Sequence, residues 1–456
     1  MKKLVILGGG ESGVGAAILG KQQGFHVFVS DSGAIKDHYK KELEDNEIEY
    51  EEKNHNREHI FKTDLVIKSP GIPDKVALVK ELREVNIPII SEIEFASRYT
   101  DAFIIAITGS NGKTTTTTMT YEILKEADFN VGVGGNIGDS FAKQVAVGEK
   151  RDYYVLEVSS FQLDDIVDFK PDIAVITNIT PDHLDRYDYD FGKYADAKFR
   201  ISMNQDEKKH LIVGADDKTS REWLTANGVN AKVHSFTAKT PENEQGAYTK
   251  NGWMYFNETA IMPTEELSLR GEHNLLNAMS AGFAAYLAGV KVAVIRKTLS
   301  QVAAIEHRME FVANIKGIEF INDSKATNVD SVWYALDAMT KPIVWVVGGQ
   351  DKGNDYSSLI DLVKEKVKAI VCLGADNRKI REVFGGMIPV FEETDTAAIA
   401  VNTAFNLATD GDVVLLSPAC TSFDLFDNYA QRGRFFKEAV TELAKTLSTV
   451  EDFDNS

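Results

Sequence analysis

Short apolar runs recur along the chain, and each ends in glycine, serine or proline. Residues 4–7 (LVIL) run into Gly8-Gly9-Gly10, 27–29 (VFV) end at Ser30-Asp31, and 65–67 (LVI) lead into KSPGIP. Apolar runs this short, bounded by turn residues, predict buried strands, and the longer mixed stretches between them predict helices. The rhythm is βαβ. A first unit closes near Glu94, after IPIISEIE.

A second unit opens at FIIAITGSNGKT, with a strand at 103–107 running into a glycine turn and a threonine-rich helix. Further strands are predicted at 153–158, 173–177 and 211–213. The stretch 235–269 alternates loosely and contains Asn251-Gly252, which predicts small antiparallel strands. Residues 274–289 predict an alanine-rich helix ending at Gly289. A third unit opens near Ile305, with apolar runs at 343–347, 369–373 and 413–416. The last residues, STVEDFDNS, are polar and acidic and are expected to fray. The prediction is an α/β chain of three domains, 1–94, 95–304 and 305–456. The first and last are Rossmann-like. The middle one is mostly parallel, P-loop ATPase-like, with a small antiparallel sheet. Ligands are expected beyond the carboxyl ends of the strands.

Composition narrows the function classes. Hydrophobic residues make up 43% of 456 and charged residues 26%, as in ordinary globular domains. The formal net charge of −19 argues against general binding of nucleic acid or anionic membrane. No apolar run approaches the roughly 18 residues of a membrane span. The opening MKKLVILGGG meets glycines after four apolar residues and reads as a first strand, not a signal peptide. Two cysteines, Cys372 and Cys420, supply neither a metal framework nor a disulfide pattern, which suits a reducing cytoplasm.

The stretch ITGSNGKTTTTTMT, 107–120, carries the sharpest chemistry. Gly112-Lys113-Thr114 fits the end of a phosphate loop, although the pattern's first glycine would fall at Ile107 and Gly109 comes two positions late. In Gly109, Ser110, Asn111 and Gly112, backbone N–H groups can converge on phosphate oxygens at a helix N-terminus. Lys113 supplies a point charge for the outer phosphates and Thr114 a hydroxyl for Mg2+. The plainer alternative is a helix-capping turn. Thr115 to Thr118 are poor helix formers, so tertiary contacts must hold that turn. The earlier loop, Gly8 to Gly13, matches G-x-G-x-x-G, with Asp31 near the end of the next strand. The pattern encodes a tight turn and close backbone approach. A nucleotide-sugar diphosphate suits it as well as NAD does, and a glycine turn without a ligand remains an alternative.

Glu157, in LEVSSFQL, ends a strand facing the phosphate loop, and TNITPDHLDRY supplies Asp182, His183 and Asp185 after the next. An acid and an imidazole at neighbouring strand ends could share a divalent cation, with phosphate and water completing a Mg2+ shell. Lys198, in FGKYADAKFRI, reads as a solvated helix lysine, and the residues alone do not promote it over Lys193.

One ordered set of motifs remains: GNIG at 135–138, EVSSFQL, DHLDRY, GEHNLLNAMSA, EHRME, NDSKATN and SPACTSFD. With the glycine loop it resembles the Mur ligases of bacterial cell-wall synthesis, most of all their D-glutamate-adding branch, over nearly the whole chain. The resemblance implies a UDP-substrate domain, an ATP domain and an amino-acid domain, in that order. It implies that ATP phosphorylates the carboxylate of UDP-N-acetylmuramoyl-L-alanine. D-glutamate then attacks the acyl phosphate, giving amide, ADP and phosphate, with two Mg2+ ions. It makes Gly109 to Thr114 the ATP loop, Lys113, His183 and Lys198 catalytic, and Thr114, Glu157 and His183 metal ligands. Lys198 becomes the lysine that is carbamylated in this family and helps hold the second ion. Asn136 and His183 face the muramoyl group, and Ser12, Gly13, Asp31 and Ser32 the uridine diphosphate. Asn274, His307, Arg308, Asp323 and Lys325 contact the nucleotide, with Asn277 a weaker candidate. Thr327, Lys352, Ser422, the backbone of Phe423, and Tyr429 complete the amino-acid side.

Two departures stand out. GGQDKGNDY at 348–356 aligns loosely with the family's lysine loop, and Phe423 stands where some relatives carry leucine. Cys420 is expected to pack beside the site, not to act as a nucleophile. A cytoplasmic monomer is the expectation, with no nucleic acid and no membrane insertion. The competing readings are a Mur ligase for another amino acid, a folylpolyglutamate-synthase-like ligase, a dehydrogenase and a nucleotide-dependent switch. The complete first domain disfavours the folate type. A dehydrogenase leaves Lys113, Glu157 and His183 without roles, and a switch has no need of the polar cluster 417–424.

Overall fold

The computed structural model describes residues 2–242, 244–302 and 306–454. The chain packs as two units. One runs to Pro181 and resumes over Arg186–Val302; the other comprises Asp182–Asp185 and the chain after Val302. The expected boundary near Ile305 lies outside the described residues.

The first unit holds two sheets. The N-terminal one consists of β1 (Lys3–Leu7), β2 (His26–Ser30), β3 (Glu49–Glu51), β4 (Leu65–Lys68) and β5 (Ile89–Ile90), all parallel, in the order β3-β2-β1-β4-β5. Strand order reverses between β1 and β4, so the glycine loop after β1 and the Ser69–Gly71 turn after β4 flank a topological switch point. They approach closely: a Cβ on Gly8 would lie 2.4 Å from Ser69 Oγ.

The second sheet has nine strands: β6 (Phe103–Thr108), β7 (Val131–Gly135), β8 (Tyr153–Glu157), β9 (Ile173–Ile176), β10 (His210–Gly214), β11 (Lys232–Thr237), β12 (Ala247–Lys250), β13 (Trp253–Phe256) and β14 (Thr259–Pro263). Their order is β14-β13-β12-β11-β10-β9-β6-β8-β7. Ile105, Ile107, Val155, Ile173 and Val175 are fully buried, because helices cover both faces of a parallel sheet. The antiparallel strands are no separate sheet, as 235–269 suggested. β12 pairs parallel with β11, and the β12-β13-β14 ribbon extends the central sheet.

The threonine-rich helix Lys113–Glu126 shares its core with the helix Glu272–Leu287: Met119 and Ile123 join Ala278, Ala281 and Phe283 in one cluster. Thr115, Thr116, Thr117 and Thr120 are buried. Tertiary packing thus outweighs their low helix propensity. The two sheets of this unit are joined through buried polar contacts. Glu92 Oε1 accepts from Ser140 Oγ (2.7 Å) and Ala142 N (2.6 Å), and Lys68 pairs with Asp165 at 3.0 Å.

The second unit contains one six-stranded sheet: β15 (Glu310–Ile315), β16 (Ile318–Asn322), β17 (Ile343–Val347), β18 (Val367–Leu373), β19 (Phe391–Thr394) and β20 (Val413–Leu416), in the order β15-β16-β20-β17-β18-β19. β15 and β16 form an antiparallel hairpin, and the remaining pairings are parallel. The C-terminal helix, Tyr429–Asp454, runs through most of the tail expected to fray. No helix among the described residues is long and apolar enough to cross a membrane.

Candidate active site

The phosphate-loop candidate joins β6 to the helix Lys113–Glu126. Gly112 caps that helix at φ 81°, in the left-handed region that favours glycine, and Gly109 sits at φ 148°. Neither tolerates a side chain. A Cβ on Gly109 would lie 1.8 Å from Thr177 Oγ1, and one on Gly112 would lie 2.2 Å from Asn277 Oδ1. The loop is braced from the end of β9: Ser110 N donates to Asn178 O (2.9 Å), Asn111 N to Asn178 Oδ1 (2.9 Å) and Thr180 N to Ser110 Oγ (2.9 Å). Lys113 Nζ donates to the carbonyls of Gly109 (2.8 Å) and Ser110 (2.9 Å). Thr114 follows in the first helical turn.

Lys198 belongs to this cluster. Only 2% exposed, it donates from Nζ to Gly109 O at 2.7 Å and lies 4.6 Å from the centre of the Tyr194 ring. The expectation of a solvated lysine, drawn from the residues alone, is therefore corrected, because the helix Phe191–Phe199 turns this face inward. Lys193 on the outer face pairs with Asp188. Tyr194 also contacts Ser110 Oγ (3.0 Å), a link the sequence reading missed. The aromatic four residues before Lys198 was the available signal.

Glu157 ends β8 and is buried. Its Oε1 accepts from Asn136 Nδ2 at 2.8 Å, and its Oε2 has no hydrogen-bond partner. A buried, unpaired carboxylate oxygen is costly, and a hard cation is the partner its chemistry favours. Glu157 thus fits Mg2+. His183 lies in the segment that clusters with the second unit, at φ 52°, its backbone N donating to Asp182 Oδ1. Asp185 is in the same segment. Among the described residues, the His/Cys/Asp/Glu group tight enough for an ion is Glu306, His307 and Glu310, none of them a predicted metal ligand. Lys437 already bridges its two glutamates at 2.6 and 2.8 Å, so the group reads as an ion-pair network.

In the first glycine loop, a Cβ on Gly13 would fall 1.9 Å from Gly8 O, so helix and turn touch backbone to backbone. Asp31 Oδ2 accepts from Gly9 N at 2.7 Å and its Oδ1 from Gly33 N at 2.7 Å. Asp31 therefore shapes the loop while standing beside Ser32. Ser12 lies in the first turn of the helix Glu11–Gln22. Asn277, the weaker of two asparagine candidates, packs on Gly112. Asn274 donates to Arg270 O, and its Oδ1 is buried without a partner.

In the second unit the candidates gather at the carboxyl ends of β16, β17 and β20. Asp323 is fully buried and accepts from Ser417 Oγ (2.9 Å) and Met309 N (3.2 Å). Burial pushes its pKa up to about 6, against the opposing pull of Arg308, Ser417 and Met309. Arg308 Nε is buried without a partner. His307 is held at Nδ1 by Asn322 Nδ2 (2.8 Å), and burial lowers its pKa. Lys325 Nζ donates to Tyr429 OH at 2.9 Å and lies over that ring. Thr327 is half-buried, Ser422 buried and Phe423 67% exposed. Lys352 Nζ pairs with Asp182 Oδ1 at 2.8 Å, and Asn328 Nδ2 reaches Asp182 Oδ2 at 3.2 Å.

Arg432 was not singled out. It is fully buried, and its guanidinium donates to Ser324 Oγ and O, Gly348 O and Cys420 O, tying three strand-end loops together. No sequence signal separates it from the exposed Arg434 of the same helix. Cys420 is buried, and burial pushes its thiol up to about 11, the opposite of an activated nucleophile.

The sequence matches the MurD N-terminal domain over residues 3–77, the Mur ligase middle domain over 107–285, and the Mur ligase, glutamate ligase domain over 307–420. It is 51% identical over 445 residues to the UDP-N-acetylmuramoylalanine–D-glutamate ligase of Christiangramia forsetii, covering 97% of this chain and all of that one. It is 52% identical to the Bacteroides fragilis enzyme of the same name, over 97% of this chain and 100% of the relative. Among solved structures, UDP-N-acetylmuramate-alanine ligase from Thermotoga maritima shares the fold at TM-score 0.61 and 18% identity, covering 97% of this chain and 99% of that one. Three matched domains and full-length identity of this order place the chain: it belongs to the Mur ligase family, in the branch of the UDP-N-acetylmuramoylalanine–D-glutamate ligases.

Proposed function

We propose that this protein joins D-glutamate to UDP-N-acetylmuramoyl-L-alanine at the expense of ATP, by way of an acyl phosphate. The observation that carries this reading is the 51% identity to a ligase of that name over 97% of the chain. The geometry supports it. A phosphate loop that opens a helix at Lys113 suits ATP, and a glycine loop at a sheet's switch point suits a nucleotide diphosphate.

A carboxylate is a poor electrophile until one oxygen becomes a good leaving group. Its oxygen attacks the γ-phosphorus, and ADP leaves. The amine of D-glutamate then attacks the acyl carbon, and phosphate leaves. Lys113 offsets charge on the transferring phosphoryl group, and the backbone N–H groups of Gly112 and the first helical turn orient it, while those of Ser110 and Asn111 brace the loop on Asn178. Asp323, Lys325, His307, Arg308 and Asn274 hold the nucleotide. Ser12, Gly13, Asp31 and Ser32 hold the uridine diphosphate, and Asn136 the muramoyl group. Thr327, Lys352, Ser422 and the backbone of Phe423 receive D-glutamate, with Tyr429 beside them. Thr114, Glu157, His183 and a carbamylated Lys198 would hold Mg2+, which would supply positive charge to offset that of the phosphoryl group. The burial of Lys198 supports the carbamate, which would be shielded there from bulk water.

The domain division 1–94, 95–304 and 305–456 belongs to the same reading, as does a cytoplasmic monomer. An isotopic test separates this path from direct amide formation. When the alanyl carboxylate carries a heavy-oxygen label, the released phosphate should carry it too. Unlabelled phosphate alongside amide product would overturn the acyl phosphate.

A further inference from the structure

Lys352 and Ser422 sit on different loops, one after β17 and one after β20. These loops are zipped together. Gln350 N donates to Thr421 O (2.9 Å) and Thr421 N to Gln350 O (3.2 Å). The approach requires Gly349, at φ 130°, where a Cβ would lie 2.2 Å from Thr421 O.

A second set of contacts closes the zip one turn further on. Tyr356 is 1% exposed, and its hydroxyl donates to Asp351 Oδ2 at 2.8 Å and lies 3.2 Å from Cys420 Sγ. Asn354 Nδ2 donates to Tyr356 OH (3.2 Å) and to Ala419 O (3.0 Å). Asp351 Oδ1 accepts from Gly353 N (2.6 Å) and Asn354 N (3.1 Å), folding the chain around Lys352. Ala419 stands at φ 60°, rare for a residue with a Cβ, so the 419–422 turn must be held by its surroundings.

Packing alone does not explain Tyr356. Its ring meets Phe384 edge-on in the apolar core, where phenylalanine would serve without the cost of burying a hydroxyl. The hydroxyl has a use only toward Asp351, Asn354 and Cys420.

We propose that Tyr356, Asp351 and Asn354 are positioning residues that fix the span between Lys352 and Ser422, and that this span selects a five-carbon D-dicarboxylate over a shorter one. The inference rests on the reading above, in which Lys352 and Ser422 meet the incoming amino acid. Asp182 also holds the Lys352 ammonium, at 2.8 Å, so loosening the latch shifts the loop backbone about that anchor and weakens the preference for that length.

The test uses the full chain with saturating ATP and UDP-N-acetylmuramoyl-L-alanine, varying D-glutamate or D-aspartate. In Tyr356→Phe, KM for D-glutamate should rise about tenfold and the D-glutamate over D-aspartate preference in kcat/KM should fall about tenfold, the scale of one methylene in a fixed pocket. KM for ATP should stay within about twofold. Asp351→Ala should behave like Tyr356→Phe, and Asp351→Asn, which keeps an acceptor for Gly353, should recover most of the preference. If Tyr356→Phe does not fold, the two Asp351 variants carry the comparison. Unchanged preference in a folded Tyr356→Phe or Asp351→Ala would overturn the latch. Lys352→Ala separates the two ideas: parent KM for D-glutamate there would overturn the assignment of Lys352 and the latch with it. A raised KM there, beside parent values in Tyr356→Phe, would overturn the latch alone.

Discussion

Lys113 and Lys198 donate to the same oxygen, the carbonyl of Gly109, at 2.8 and 2.7 Å. One arrives from the first turn of the helix it begins, the other from a helix 85 positions further along the sequence. Carbamylation, as proposed above, would leave Lys113 the cation of the pair and make Lys198 an anion able to help hold Mg2+. Lys198→Ala should therefore lower kcat by about 10²-fold or more. Lys198→Arg should not recover it, because arginine keeps the charge but forms no carbamate. Lys193→Ala, at the surface, should stay within about twofold of the parent. Steady-state rates decide this, and full activity in Lys198→Arg would contradict the carbamate.

Asn136 orients Glu157 while leaving Oε2 without a partner. Residues behind a metal ligand tune affinity by roughly 10–100-fold, so Asn136→Ala should raise the Mg2+ needed for half-maximal rate by about tenfold. Glu157→Ala should abolish turnover while ATP-analogue binding without metal persists. A Mg2+ titration of rate, with calorimetry of the analogue, checks both.

Gly112 faces two obstacles to a side chain, its positive φ and the 2.2 Å approach to Asn277 Oδ1. Gly112→Ala should cost about 1–3 kcal/mol of stability and raise KM for ATP. Adding Asn277→Ala removes the collision but not the backbone strain, so it should restore only part of the Tm. Complete recovery would mean that the left-handed conformation carries no penalty.

Glu92 is buried where the first unit's two sheets meet, and burial raises its pKa from 4.5 to about 7. A raised carboxyl pKa means the native state binds the proton more tightly than the unfolded chain. The resulting stability is full below about pH 4.5 and is lost as pH rises through about 7. Glu92→Gln should then raise Tm more at about pH 8 than at about pH 5. His234 acts in the opposite sense: burial lowers its pKa to about 4, so its contribution is present above about 6.5 and is lost as pH falls toward 4. Thermal melts across this range check the sign, and parallel curves for parent and Glu92→Gln would contradict it.

Strands rich in buried apolar residues, such as β1, β6, β8 and β17, were legible in sequence, because a parallel sheet covered on both faces leaves continuous apolar runs. β3 (Glu49–Glu51) and β7 (Val131–Gly135) were not. The first is a polar edge, and the second is rich in glycine, which reads as turn. The Gly109–Thr114 loop was legible because its chemistry is local. Tyr194, Tyr356 and Arg432 were not, because each acts through partners far away in sequence: Arg432 reaches Ser324 across 108 positions. Lys198 shows the limit most plainly: its neighbouring residues alone did not separate it from Lys193, the family resemblance did, and the fold then shows it buried.

The most direct test of the central claim supplies ATP, Mg2+ and UDP-N-acetylmuramoyl-L-alanine with one amino acid at a time: D-glutamate, L-glutamate, L-lysine or diaminopimelate. Phosphate release and amide mass are followed together. Turnover with D-glutamate alone is the predicted result. Turnover with another of the four in its place, or no amide from any of them by a folded, ATP-binding protein, would contradict the account.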